Sequence, residues 1–232
     1  MTNMQIVENL YSAFSDIPRP SKIDGCRHCM SEGDINRLLG QSLRHSDPEI
    51  LLNYIEDAIW TVGNKQNFKY FVPRLLELGL TDYNINNHSG NFIMFPETFG
   101  KKLAMADFDV WDQSKQIAVD DAIFAITSEE ARQKDDYSFG GWMIAICYIN
   151  LDKKRYLDLL DSDLGNYVRD AFLVSHRDAY KYGRMKGPFW DELDIEKTSS
   201  IYEWLVARKE ESNIALGKHR RALRREREKR RY

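Results

Sequence analysis

The stretch DPEILLNYIEDAIWTVGNKQNFKYFVPRLLELG, residues 47–79, decides the fold class. It opens on Asp47-Pro48-Glu49: a helix-capping side chain, a first-turn proline and an acid matched to the positive end of a helix dipole. Leu51, Tyr54, Ile55, Ala58, Ile59 and Val62 follow at helical spacing, and Gly63 is placed to end the helix. A second helix is expected from about Asn64, presenting Phe68, Phe71, Val72, Leu75, Leu76 and Leu78, with Gly79 as its stop. Pro73 either kinks it or opens a new helix after a break. The very short link between the two predicts an antiparallel pair.

The same period extends in both directions. Residues 4–14 fit a short leading helix, Ile17 to Gly25 reads as a loop around Pro18 and Pro20, and Ser31-Glu32-Gly33-Asp34 resembles a cap before Ile35, Leu38 and Leu39. Thr81 to Gly90 is polar and reads as exposed; Phe92 to Met105 is a weaker helical pattern, broken by Pro96 and Gly100. Trp111, Ile117, Ala118, Ala122, Ile123 and Ile126 share a helical side, and Ser128 to Tyr137 reads as charged and exposed. Gly140-Gly141 leads into the apolar run Trp142 to Ile149. It fits a buried strand or a buried helix; helix is chosen because no strong strand exists to pair with it. Tyr156, Leu157, Leu159 and Leu160 mark one further helix, and Tyr167, Val168, Ala171, Phe172 and Val174 another. Gly183 to Pro188 breaks the chain, and Thr198-Ser199-Ser200 is expected to cap a helix carrying Ile201, Tyr202, Trp204 and Leu205. The expected fold is all-α, with about eight to ten helices stacked as antiparallel hairpins, HEAT-like or an irregular bundle. One domain is drawn over 1–217, with a basic tail over 218–232.

Charge is divided unevenly. Lys218 to Arg231 holds nine Lys/Arg against Glu226 and Glu228, so a formal net charge of −3 conceals an acidic body carrying a basic end. Apolar residues make up 43% of the 232, which suits a soluble globular protein, and no apolar run approaches a membrane span. The first residues lack the basic start and apolar stretch of a secretory signal. Three cysteines form no disulfide framework, so a reducing cytoplasm is expected.

Two patches carry a resemblance: Cys26-Arg27-His28-Cys29 before a capped helix, and Ala58-Ile59-Trp60-Thr61-Val62-Gly63 followed by Phe68-Lys69-Tyr70-Phe71-Val72-Pro73-Arg74. Together they resemble a group of uncharacterised bacterial helical proteins with an N-terminal CxxC, similar to HEAT-type helical-hairpin stacks. The resemblance spans roughly residues 26–78, with a looser echo around Trp111 to Phe124. It implies a fold and no activity, and the basic tail is not part of it.

Cys26 and Cys29 have the spacing of half a zinc site or of a redox pair. Neither reading is complete: His28, His45 and His88 have no spacing that specifies a fourth-ligand set, and no strand precedes the pair, so structural thiols are expected. Cys147 lies in the most apolar segment and reads as an inert core thiol. Ser175-His176-Arg177-Asp178 spells a triad, but helical neighbours point apart and form no relay. The adjacent acids Asp120-Asp121, Glu129-Glu130 and Asp135-Asp136 read as solvated surface. Gly140-Gly141 lacks the lysine and hydroxyl of a phosphate loop. No catalytic residue, metal or cofactor is nominated. The aromatics Trp60, Phe68, Tyr70, Phe71, Trp111, Trp142 and Trp204 read as core, whereas Phe189 and Trp190, after Gly187-Pro188, read as an exposed aromatic anchor.

The leading expectation is a non-enzymatic module that binds a protein through acidic clusters at Asp107, Asp109 and Asp112 and at Asp158, Asp161 and Asp163. One version is an immunity or antitoxin-type protein facing a basic toxin or nuclease domain. The alternative is nucleic-acid contact through phosphates by Arg220, Arg221, Arg224, Arg225, Arg227, Arg230 and Arg231. A redox role for Cys26 and Cys29 is the third.

Overall fold

The computed structural model describes residues 1–81 and 95–229, with side chains through residue 222. The segment 82–90 with His88, the start of the apolar run at Phe92, Arg230 and Arg231 lie outside the described residues, as do the side chains of Arg224, Arg225 and Arg227. Among the described residues there are twelve α-helices and no strand, so the chain is all-α. Its contacts divide it into two compact units, Met1–Thr127 and Ser128–Tyr232.

In the first unit, α1 (Asn3–Ala13) packs on α4 (Lys65–Leu80), which also touches α3 (Pro48–Asp57); α2 (Glu32–Gly40) packs on α3. α1 begins in a capping box between Thr2 and Gln5, α2 at Ser31 and α3 at Asp47 with Pro48 in the first turn, each cap satisfying an otherwise orphan amide. α4 starts from an Asn64 capping box and continues through Pro73. The core gathers Leu10, Leu51, Tyr54, Phe68, Phe71, Leu75 and Phe99, all fully buried. α5 (Pro96–Met105) leads into a 3-10 turn, Phe108–Val110, and then α6 (Gln113–Gln133), which crosses the boundary between the units.

Four expectations change in this unit. α3 stops at Asp57 rather than near Val62, because the amides of Thr61 and Val62 fold back onto the Asp57 carbonyl and Ile59 adopts φ +70°. Trp111 precedes α6 instead of lying on it, its ring buried and its Nε1 donating to the Ala106 carbonyl. Ile117 faces outward, and Trp60 is 50% exposed rather than core.

The second unit is built on α7 (Asp136–Tyr148), which contacts α8 (Lys153–Asp161), α9 (Asn166–Ser175) and α11 (Ile195–Ala207). Trp142 to Tyr148 is buried without interruption, as a helix with no polar side requires. A short α10 (Asp178–Tyr182) ends at Gly183, and α12 (Lys209–Lys229) packs on α9.

Here too the structure corrects the reading. α6 continues to Gln133, and Glu130 and Ala131 are buried, with the Trp142 indole donating to Glu130 at 3.3 Å; that acid is not solvated surface. α11 starts at Ile195 after Asp194, so Thr198 lies within it and donates its hydroxyl to the Ile195 carbonyl rather than capping. α12 passes residue 217 without a break, which makes most of the expected tail the second half of a helix.

Candidate functional site

The loop between α5 and α6 carries the first acidic cluster. Phe108 and Trp111 are buried with ring centroids 5.2 Å apart, which fixes the loop to the core from two points. The Gln116 amide donates to the carbonyls of Phe108, Asp109 and Trp111 at 3.0–3.1 Å, so the backbone between those anchors is tied from the helix below. Lys65 meets both carboxylate oxygens of Asp107 at 2.7 and 2.8 Å. Lys115, only 3% exposed, reaches Asp112 at 2.7 Å and Asp16 at 2.9 Å, and those two carboxylates stay well exposed above it. Hydrogen bonding to Lys115 holds the carboxyls of Asp16 and Asp112 below the usual range. Asp109 and Val110 are exposed, Val110 at 77%.

The second cluster behaves differently. Asp161 receives Nε and Nη2 of Arg208 and the indole of Trp204, at 3.0, 2.5 and 3.0 Å. Asp158 pairs with Lys154, and Asp163 is exposed. Three acids within a six-residue stretch are thus one partly exposed clasp, one surface pair and one solvated carboxylate.

Trp190 is buried, at 4% exposure, and its indole donates to His176 Nε2 at 3.1 Å; it is not an exposed anchor, and Phe189 is half-buried. His176 Nδ1 meets the Phe172 carbonyl at 2.9 Å, so both ring nitrogens are engaged in a neutral imidazole. Burial pushes that imidazole down to about 4, against the Phe172 carbonyl, which raises it. Cys147 is buried and its thiol is pushed up to about 12 by desolvation, as an inert core thiol should be.

Cys26 and Cys29 are both half-buried and not bridged, in a turn closed by the Cys29 amide on the Cys26 carbonyl at 3.1 Å. The structure brings this turn onto the Trp60-Thr61-Val62-Gly63 segment. Cys26 N–H donates to the Thr61 carbonyl at 2.8 Å, Gly63 N–H to the Asp24 carbonyl at 2.6 Å, and Gly25 forms a bridge with Val62. From the other side Lys102, fully buried, donates its amine to the carbonyls of Glu56 and Ala58 at 2.7 and 3.0 Å and sits 4.0 Å from the Trp60 ring centre. Desolvation lowers that amine to about 8, partly offset by Asp57 and Glu56. No group of three or more His, Cys, Asp or Glu able to hold a metal ion occurs among the described residues.

Sequence reasoning missed Gln116 and Lys102. Lys102 had a readable signal, a lysine between Phe99 and Leu103 on one apolar helical side; Gln116 had none.

No family model, no curated protein and no solved structure matches the chain. The resemblance drawn from the CxxC and Trp-Thr-Val-Gly patches therefore assigns no family; the all-helical architecture is the part of that expectation the structure bears out. No helix among the described residues is long and apolar enough to cross a membrane.

Proposed function

We propose that the chain is a non-enzymatic, protein-binding helical module that docks a basic partner on the loop 107–112. The observation that carries this reading is the pinning of the loop by Gln116, Phe108 and Trp111 beneath exposed Asp109 and Val110. A loop fixed before binding loses little conformational freedom on docking. Carboxylates around an apolar crest supply steering and a contact that can be desolvated. An immunity or antitoxin-type protein covering a basic toxin or nuclease domain is one version, and HEAT-like stacking of the helices belongs to the same proposal.

The test begins with retention of proteins on the immobilised chain at low salt. The strongest retained basic protein is then purified and titrated against the wild type, D109K and V110D. Each substitution is expected to raise Kd at least about tenfold, and D109K to flatten the salt dependence. Equal affinity for all three removes the loop from the interface, and retention of no protein ends the reading. For the immunity version, growth of cells expressing an adjacent toxin gene is rescued by the wild type and not by D109K; absence of such a gene ends that version.

A second reading, phosphate contact by the basic end, is favoured by one observation: the basic run continues a helix whose first half is anchored on α9. It expects salt-sensitive retention of a DNA duplex that disappears on truncation after Gly217.

A further inference from the structure

The Cys26–Cys29 turn is held in a way that neither binding reading uses. Gly25 lies so close to the neighbouring segment that a Cβ there would meet the Thr61 carbonyl oxygen at 2.6 Å and Val62 Cα at 2.7 Å. With the Cys26–Thr61 and Asp24–Gly63 hydrogen bonds, this close approach clamps the turn at its first residue. The two cysteines are its first and fourth residues. In such a turn the Cα atoms lie within about 7 Å, inside the range a disulfide spans. The Cys29 amide and the two thiols lie near enough to perturb the ionisation of one another.

We propose that Cys26 and Cys29 form a reversible intramolecular disulfide by exchange with a disulfide of the glutathione class, with Cys26 as the attacking sulfur and Cys29 as the resolving one. The order of attack follows from the surroundings. The Cys29 amide, the Cys29 thiol and the His28 amide lower the Cys26 thiol, against desolvation and Asp57, so its thiolate is the more available. Cys29 is raised overall: Thr61 lowers it, but Cys26, desolvation and Asp57 outweigh that contribution. Cys29 is therefore the less available thiolate of the two.

In the first step the Cys26 thiolate attacks one sulfur of the oxidised glutathione. The S–S bond breaks, one glutathione thiolate leaves, and Cys26 carries a mixed disulfide. Cys29 then loses its proton to solvent and attacks Cys26 Sγ, releasing the second glutathione thiolate. Two protein thiols are oxidised, one small disulfide is reduced to two thiols, and the two protons given up by the cysteines end on the departing glutathiones. Excess reduced glutathione runs the sequence backwards.

The full-length chain is titrated with oxidised glutathione and read by mass and by site-resolved alkylation. On the untreated wild type, Cys26 is expected to alkylate at neutral pH at least about tenfold faster than Cys29 or buried Cys147. Oxidised glutathione should convert the wild type to a species lacking two hydrogens with Cys147 still free, and reduced glutathione should restore it. C29S should stop at one glutathione on Cys26, and C26S should acquire none over the same time. Equal alkylation of the three thiols, a stable adduct on C26S, or failure of the wild type to close the bridge each overturns the proposal. So does about one zinc per purified chain that is lost when both cysteines are alkylated. The alkylation rates come from the wild type, so a variant that fails to fold does not remove the test.

Discussion

Asp158 and Asp161 lie on one helix three residues apart and carry the same charge, yet only Asp161 is gripped by Arg208 and Trp204. Asp161→Ala should lower the stability of the second unit by about 1–3 kcal/mol, because Arg208 and the indole lose their acceptor. Asp158→Ala removes an exposed i,i+4 pair and should cost less than about 0.5 kcal/mol; chemical denaturation of the two variants side by side checks the contrast. Glycines divide in the same way. Gly25→Ala forces backbone apart where the Cys26 turn meets Thr61 and should cost about 2 kcal/mol or more, whereas Gly40, with nothing within 4 Å of a new Cβ, should accept alanine with little change. At His176 burial sets the sign of a pH effect. Its folded value of about 4 lies below the 6.5 of an unfolded imidazole, so the stability it permits is complete above pH 6.5 and is lost as pH falls from 6.5 towards 4. The loss should reach roughly 3 kcal/mol and be absent in His176→Gln, measured as the acid limb of denaturation midpoints. None of these distinctions is written in the residues themselves. Asp158 and Asp161 look alike in sequence because what separates them is an arginine 47 positions away.

Helix starts were more legible than helix ends. Ser31, Asp47 and Asn64 cap where short polar side chains precede apolar periods, because a cap is a local interaction between residues two or three apart. The helical period overruns the end of α3 by five residues for the opposite reason: Ala58, Ile59 and Val62 keep helical spacing while the chain leaves the helix to meet Gly25 and Cys26 from a distant loop. Ile59 accepts a left-handed backbone there, at a cost of about 1–3 kcal/mol that the bridge and the Lys102 amine offset. At the other end of the chain, α12 is anchored by buried Ala215, by Ser212 on the Leu173 carbonyl and by an exposed Lys218–Asp170 pair. Truncation after Gly217 removes that pair and leaves Ser212 and Ala215 in place. It should shift the melting temperature by no more than about 2 °C, which calorimetry of both lengths would establish.

For the whole molecule, the class was legible because the apolar period is helical nearly throughout, and α7 was read correctly from the lack of any strand to pair with it. The candidate docking loop was legible only as three aspartates. Its backbone is tied by Gln116, a residue that no composition or period distinguishes, and Lys115 lies buried against Asp112. α7 also imposes a direction on synthesis. The helices it packs on most in its unit, α8, α9 and α11, follow it in the chain, so a ribosome that has released residue 150 has made a sticky cylinder before most of its wrapping. Fragments that stop between 150 and 205 should precipitate or be held by chaperones, while those reaching past Ala207 remain in the supernatant after centrifugation. Anyone dividing this chain for expression therefore has to keep α7 together with everything up to the end of α11.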